Sequence, residues 1–290
     1  MSRYLVTGAG GQLGNCFKSV ASEFSQHQLF FANRSEIDLN QPSSLAAYFE
    51  RQSFEGILNC AAYTQVDQAE KEREEAQKIN GIGVQKLVDF ATANGLKLIH
   101  FSTDFIFDGS NEKAYLETDT PNPINAYGES KYAGEVILSR APCAHVTFRI
   151  SWLFSPFGNN FVKTIRSISR SKTEINVVND QVGKPTYGID LARTVLGLLD
   201  HPDLFNFSLY HFAQGPATNW FEFAQRIVEL SGETCLVNPI PSKEYPTPAK
   251  RPLRSVLDTS RIEKIVPLPI RNWELGLRDC IEQIRSHETI

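Results

Sequence analysis

The chain has 290 residues, 41% of them hydrophobic and 21% charged, with a formal charge of −4 and a pI near 5.9. This is the make-up of a globular protein long enough for one large domain or two unequal ones. The acidic balance argues against a binder of phosphate backbones, which carries a basic patch and a high pI, so no nucleic-acid partner is expected. Five scattered cysteines, none in a Cys-x-x-Cys spacing, argue against a zinc site or a disulfide framework and read as free thiols of a reducing compartment. The chain runs at once into Tyr4-Leu-Val-Thr-Gly8, which leaves no room for a secretory signal, and no apolar run approaches the ~20 residues of a membrane span. A cytoplasmic protein without membrane contact is the expectation.

The first half alternates short apolar runs with helical patterns, the signature of β-α-β units and a parallel sheet. Strands are predicted at 4–7, 29–32, 56–61, 97–102 and 146–150. They are rich in Ile, Leu, Val and Phe without clean alternation, as in strands covered on both faces. Helices are predicted at 12–24, 43–51, 68–93 and 127–138. The charge run Glu70-Lys-Glu-Arg-Glu-Glu75 reads as a solvated helix face. Beyond residue 150 the pattern loosens and prolines crowd into positions 239, 241, 246, 248 and 252. Helices are predicted there at 161–169, 189–199, 221–230 with Gly232 as stop, and 273–284. The fold class is therefore α/β: a Rossmann-like doubly wound parallel sheet over 1–150, with a smaller, less regular substrate domain over 151–290. A helix near 188–200 is allowed to pack back onto the first domain, and the site belongs in the cleft between them.

Gly8-Ala-Gly-Gly11-Gln-Leu-Gly14 lies between the first strand and the first helix, the context a dinucleotide fingerprint requires. Glycines at 8, 11 and 14 let the backbone turn tightly, approach a pyrophosphate and pack helix on strand, while the helix N-terminus offers free N–H groups. At the end of the second strand, Ala32-Asn-Arg-Ser35 has no carboxylate to hold a ribose 2′-hydroxyl and offers the Arg34 guanidinium instead. NADP(H) is the expected cofactor, with NAD(H) also allowed. Asp38-Leu39 sits where an acid could meet the adenine.

A hydride arriving at a carbonyl leaves negative charge on oxygen, so the site needs a proton donor and hydrogen-bond donors aimed at that oxygen. Tyr127 and Lys131, four residues apart on one helix face, supply a phenol and a cation expected to lower its pKa. Thr103, at the end of the fourth strand, adds a hydroxyl where open α/β sheets bind ligands.

With Gly8-x-x-Gly11-x-x-Gly14, Thr103 and Tyr127-x-x-x-Lys131, the chain resembles the extended short-chain dehydrogenase/reductases. Over essentially its whole length it resembles the dTDP-4-dehydrorhamnose reductase family among them. The segments that carry this closer resemblance are 58–67, 100–107, 125–131, 149–154, 158–161, 179–186 and 245–252. The resemblance implies reduction of dTDP-4-dehydro-β-L-rhamnose to dTDP-β-L-rhamnose by NAD(P)H, in making an activated sugar for cell-surface polysaccharide. It also implies that Gly11, Gln12, Leu13, Asp38, Leu39, Ala62, Tyr63, Thr64 and Phe101 line the cofactor. Tyr127 would be the proton donor with Lys131 its partner, and Thr103, Asp104 and Trp152 would contact the dTDP-sugar. Arg251 is a candidate for the diphosphate. Some members dimerise through magnesium held by glutamates, one of them in the first helix. Here that helix reads Gly14-Asn-Cys-Phe17, so no metal of that kind is expected, and a homodimer is left open. Two alternatives stand beside this reading: another nucleotide-sugar 4-ketoreductase or epimerase, and a non-catalytic NAD(P)-binding regulatory subunit.

Overall fold

Strands β1 (Ser2–Thr7), β2 (His27–Ala32), β3 (Gly56–Asn59), β4 (Lys97–Thr103) and β5 (His145–Ile150) form one parallel sheet in the computed structural model, which describes residues 1–50 and 52–288. A sixth strand, β6 (Leu209–Phe212), adds to it in parallel, giving the spatial order β2-β1-β3-β4-β5-β6. β3 is buried at every position and β4 at all but Lys97, which is why these strands read as unbroken apolar runs. The fourth strand runs one residue further than expected, so that Thr103 is its last residue.

Helices α1 (Gln12–Val20), α2 (Pro42–Phe49), α3 (Gly83–Asn94) and α4 (Ala126–Leu138) lie between these strands in the chain. The helix expected at 43–51 is α2, and its predicted last residue, Arg51, lies outside the described residues. The helix expected over 68–93 is not continuous. It is two short turns, Val66–Ala69 and Arg73–Gln77, then a π-turn over Lys78–Ile82, then α3. The wider turn seats the buried Asn80, whose side chain accepts from the backbone N–H of Tyr63 at 2.9 Å and donates to its carbonyl at 2.9 Å.

In the second half, α5 (Phe161–Ser169), α6 (Gly188–Leu198), α7 (Trp220–Ser231) and α8 (Trp273–Glu288) fall close to their predicted positions. Asn219 and Glu222 form a capping box at the start of α7, and Gly232 ends it in the left-handed region at φ 71°. Two short parallel strands, Glu174–Val178 and Leu236–Ile240, pair beside α7. The first sheet does not end at residue 150: β6 rejoins it, and α6 packs on α1. One apolar core runs from Val6 and Phe148 in the sheet through Phe154 to Phe223 of α7 and Leu277 of α8. The two halves are therefore fastened by shared packing.

Candidate active site

The strand order reverses at β1 and β3, with β2 to one side and β4 to the other, and the crevice beyond their carboxyl ends is where open α/β sheets hold ligands. Gly8 follows β1 with φ 64°, and a Cβ there would come within 2.6 Å of the Ala61 nitrogen beyond β3. A Cβ on Gly14 would come within 2.6 Å of the Ala9 Cα, so only glycine lets α1 rest on the loop. The Gly11 N–H donates to the Gly8 carbonyl at 2.9 Å, and the first bond of α1 runs from the Asn15 N–H to Gly11 at 3.1 Å. The N–H groups of Gln12, Leu13 and Gly14 precede that bond and have no intrahelical acceptor. The side chains of the first two turn elsewhere: Gln12 donates to the Leu153 carbonyl at 3.1 Å, and Leu13 is in the core. What this turn presents to a pyrophosphate is backbone.

A cavity of about 250 Å³ opens beside the turn, lined by Gly8, Gly11, Arg34, Asp38, Leu39 and Ala62 among others. The Arg34 side chain is 72% exposed and lies 3.7 Å from Glu75, free enough to swing onto a phosphate at the cavity mouth. Asp38 accepts the Asn40 N–H at 3.0 Å, and the buried Leu39 offers its carbonyl to Lys86 at 2.9 Å. The Tyr63 ring points away from the cavity, its hydroxyl donating to Glu72 at 2.7 Å, while Thr64 is exposed. These features fit a dinucleotide: a cradle that a Cβ would fill, unpaired helix N–H groups and a cation at the adenosine end.

Beyond β4 the chain makes a tight turn over Asp104–Ile106, and α4 begins with Asn125 as its cap, accepting the Gly128 N–H at 2.8 Å. Gly128 sits against the Phe105 carbonyl with no room for a Cβ, which draws Tyr127 down to the end of β4. The Tyr127 ring meets Phe105 edge-on at 6.0 Å. Thr103 donates to Asp104 at 3.2 Å, accepts the Phe105 N–H at 3.1 Å and also hydrogen-bonds Tyr127. Lys131, one turn along, is buried and donates to the Phe101 carbonyl at 2.7 Å. The Phe101 ring itself packs in the core against Phe17 and Phe148, so its backbone is the part at the site.

Burial governs the titration of this group. It pushes Tyr127 up to about 12, a rise that the Thr103 hydrogen bond opposes and Asp104 reinforces. The Lys131 ammonium is turned to the Phe101 carbonyl, beneath the strand ends. Burial also lowers Lys131 to about 8 and raises Asp104 to about 7, against hydrogen bonds to Asp104 from Ser255 at 2.5 Å and from Thr103.

Phe105, which Tyr127 meets edge-on, lines a cavity of about 370 Å³ together with Phe161, Trp220, Tyr245, Thr247 and Arg251 among others. Trp220 forms its wall and stacks on Trp152 at 3.7 Å, with the planes 11° apart. Trp152 holds a positive φ of 48°, and a Cβ on Gly183 would come within 2.6 Å of its indole. Arg251 grips Asp67 with nitrogen–oxygen distances of 2.7 and 3.1 Å. The charge run is not merely solvated: Glu70 accepts the Ala126 N–H at 2.8 Å and Glu72 holds Tyr63. Sequence reasoning passed over Asn80, Ser255, Trp220 and Phe161. A polar residue inside an otherwise helical run was the one signal for Asn80. Among the described residues no group of three or more His, Cys, Asp or Glu is placed to hold a metal ion, and no helix is long and apolar enough to cross a membrane.

A glycine turn at the switch point of a parallel sheet, with a Thr/Tyr/Lys set at the next strand end, defines a dinucleotide-binding oxidoreductase of the short-chain dehydrogenase/reductase type. The chain belongs to the RmlD substrate binding domain family, whose model matches residues 2–286. It is 34% identical to the dTDP-4-dehydrorhamnose reductase of Aggregatibacter actinomycetemcomitans, over 96% of this chain and 98% of that protein. It is also 34% identical to the Bacillus subtilis spore coat polysaccharide biosynthesis protein SpsK, over 99% of each. The crystal structure of dTDP-4-dehydrorhamnose reductase from Bacillus anthracis, in complex with NADP, superposes with a TM-score of 0.92 at 34% identity, covering 98% of this chain and 100% of that one. A Streptomyces venezuelae dTDP-glucose 4,6-dehydratase shares the fold, with a TM-score of 0.82 at 18% identity over 99% of this chain and 98% of that one.

Proposed function

We propose that this protein reduces the 4-keto group of dTDP-4-dehydro-β-L-rhamnose, giving dTDP-β-L-rhamnose for polysaccharide synthesis, with NADPH as hydride source and Tyr127 as proton donor. One observation carries the reading: Thr103, Tyr127 and Lys131 lie together at the end of β4, at the carboxyl edge of the sheet that also carries the glycine turn and its cavity, and Tyr127 meets Phe105, which lines an aromatic-walled cavity. The names of the relatives support the substrate, and the NADP-bound relative supports the cofactor.

When bound, the nicotinamide supplies the hydride. The chain's own residues do the rest. The Gly8–Gly14 turn and the α1 N–H groups receive the pyrophosphate, and Arg34 the 2′-phosphate. Trp220 and Phe161 offer flat apolar faces to the base, and Arg251 a guanidinium to the diphosphate. Tyr127, a phenol already protonated at neutral pH and raised further by burial, reaches the reacting oxygen with its proton in place. Thr103 has a single hydroxyl proton. It can turn from Asp104 to the developing oxyanion, where a fixed donor stabilises charge most.

Purified protein mixed with dTDP-4-dehydrorhamnose and NADPH is expected to consume reduced cofactor and yield dTDP-rhamnose by NMR. No consumption with NADPH or NADH sinks the proposal, and a different sugar product would replace its substrate.

A further inference from the structure

Behind Lys131 lies a buried polar chain that the reaction as described does not use. Asn59, the last residue of β3, has its Oδ1 3.2 Å from the backbone N–H of Ala61 and 2.8 Å from the Thr7 hydroxyl. A backbone N–H can only donate, so the Asn59 oxygen faces Ala61 and its NH2 faces the other way. On that side, Asn59 Nδ2 lies 3.0 Å from His100 Nδ1, and across the ring His100 Nε2 lies 3.4 Å from Lys131 Nζ. Asn59, His100 and Lys131 are each at most 2% exposed.

The donor count fixes the imidazole. Nδ1 has to accept from Asn59, so it carries no proton, and a neutral ring then carries its proton on Nε2. A second proton on the ring would set Nδ1–H against the Asn59 NH2, and burial with the Lys131 charge holds His100 well below the usual histidine range. The Nε2–H therefore points at Nζ. Against an ammonium this contact is donor to donor. Against a neutral amine it is a hydrogen bond.

We propose that His100 is a positioning residue of the reduction: fixed by Asn59 as the Nε2–H tautomer, it aims a donor at Lys131 and favours the neutral amine over the ammonium. The inference deepens the proposed function and rests on Lys131 being the partner of Tyr127. An ammonium so disfavoured is the stronger acid. When Nζ gives up a proton, the amine left behind accepts from His100 Nε2–H. The other groups around Nζ act differently. Glu135 on the same helix is held by Arg149 at 2.7 Å but still favours the ammonium, as does Cys60 beyond β3. Asp104 and Tyr127 stand at the strand end on the side of the substrate.

Two-bond proton–nitrogen correlation of the imidazole in the intact protein tests the tautomer without reference to activity: Nε2 protonated and Nδ1 bare is expected, and a protonated Nδ1 overturns the proposal. The pH profile of kcat/KM tests the consequence. His100→Gln, which can turn an amide oxygen to Nζ, should carry the alkaline limb upward by about one pH unit, the size of one hydrogen bond gained. Asn59→Asp should do the same by drawing the ring proton to Nδ1, and it serves if His100→Gln does not fold. Unmoved limbs in the folded variants overturn the role, because a purely structural histidine would lower turnover without displacing the profile. Wild-type turnover in Lys131→Met would instead remove the reading of Lys131 beneath it, whatever tautomer is found.

Discussion

Asp104 is a carboxyl that the fold would rather keep protonated. Burial raises it to about 7, while an unfolded aspartate titrates near ~3.9. Between those values the folded protein holds a proton that the unfolded chain has lost, so stability falls as pH rises through that window and stays lower above it. Asp104→Asn, which keeps an acceptor for Ser255, should melt above wild type at pH ~8, with the advantage shrinking toward pH ~4. Melting curves across that range check it, and a constant difference would contradict the cause. Tyr127 answers to a different measurement. Tyr127→Phe should lose about 10²–10⁴ in kcat, the usual worth of a positioned proton donor, with NADPH affinity by fluorescence titration unchanged.

Helix α4 is seated more tightly than its sequence suggests. Gly134 lies against the Asn80 carbonyl in the π-turn, as Gly128 lies against Phe105, and neither leaves space for a methyl group. Gly134→Ala should cost about 1–3 kcal/mol of stability, seen as a lower denaturant midpoint at unchanged slope. The strands β1–β5 and the helix starts were legible because apolar runs and caps are local signals, and the Tyr127/Lys131 spacing is local too. The π-turn inside the predicted 68–93 helix was not, because Asn80 earns its place through Tyr63 and Ser130, far away in the chain. β6 was missed for a similar reason. It is four residues long with a polar His211 inside, and only its pairing with β5 makes it a strand. The part of Ser255 at Asp104 is a contact across 151 residues, which no spacing announces.

Four such contacts tie the late segment 249–255 to the first half: Asp67 to Arg251 and to the Ala249 N–H, Asn125 to the Lys250 carbonyl and Asp104 to Ser255. They set the Trp220-walled cavity against the end of β4. Arg251→Ala should raise KM for the sugar nucleotide by about tenfold, in line with losing a charged hydrogen bond, and leave NADPH binding alone. Initial-rate kinetics with each substrate varied in turn would separate the two.

The strand β6 also has a bearing on how the protein is made. Residues 145–150 leave the ribosome long before residues 209–212, and in that interval β5 is the bare margin of a sheet, with its backbone N–H and C=O groups open to any passing strand. A nascent chain stalled before residue 209 should therefore be prone to aggregate or to draw chaperones. One extended past residue 212 has its own strand with which to close that margin.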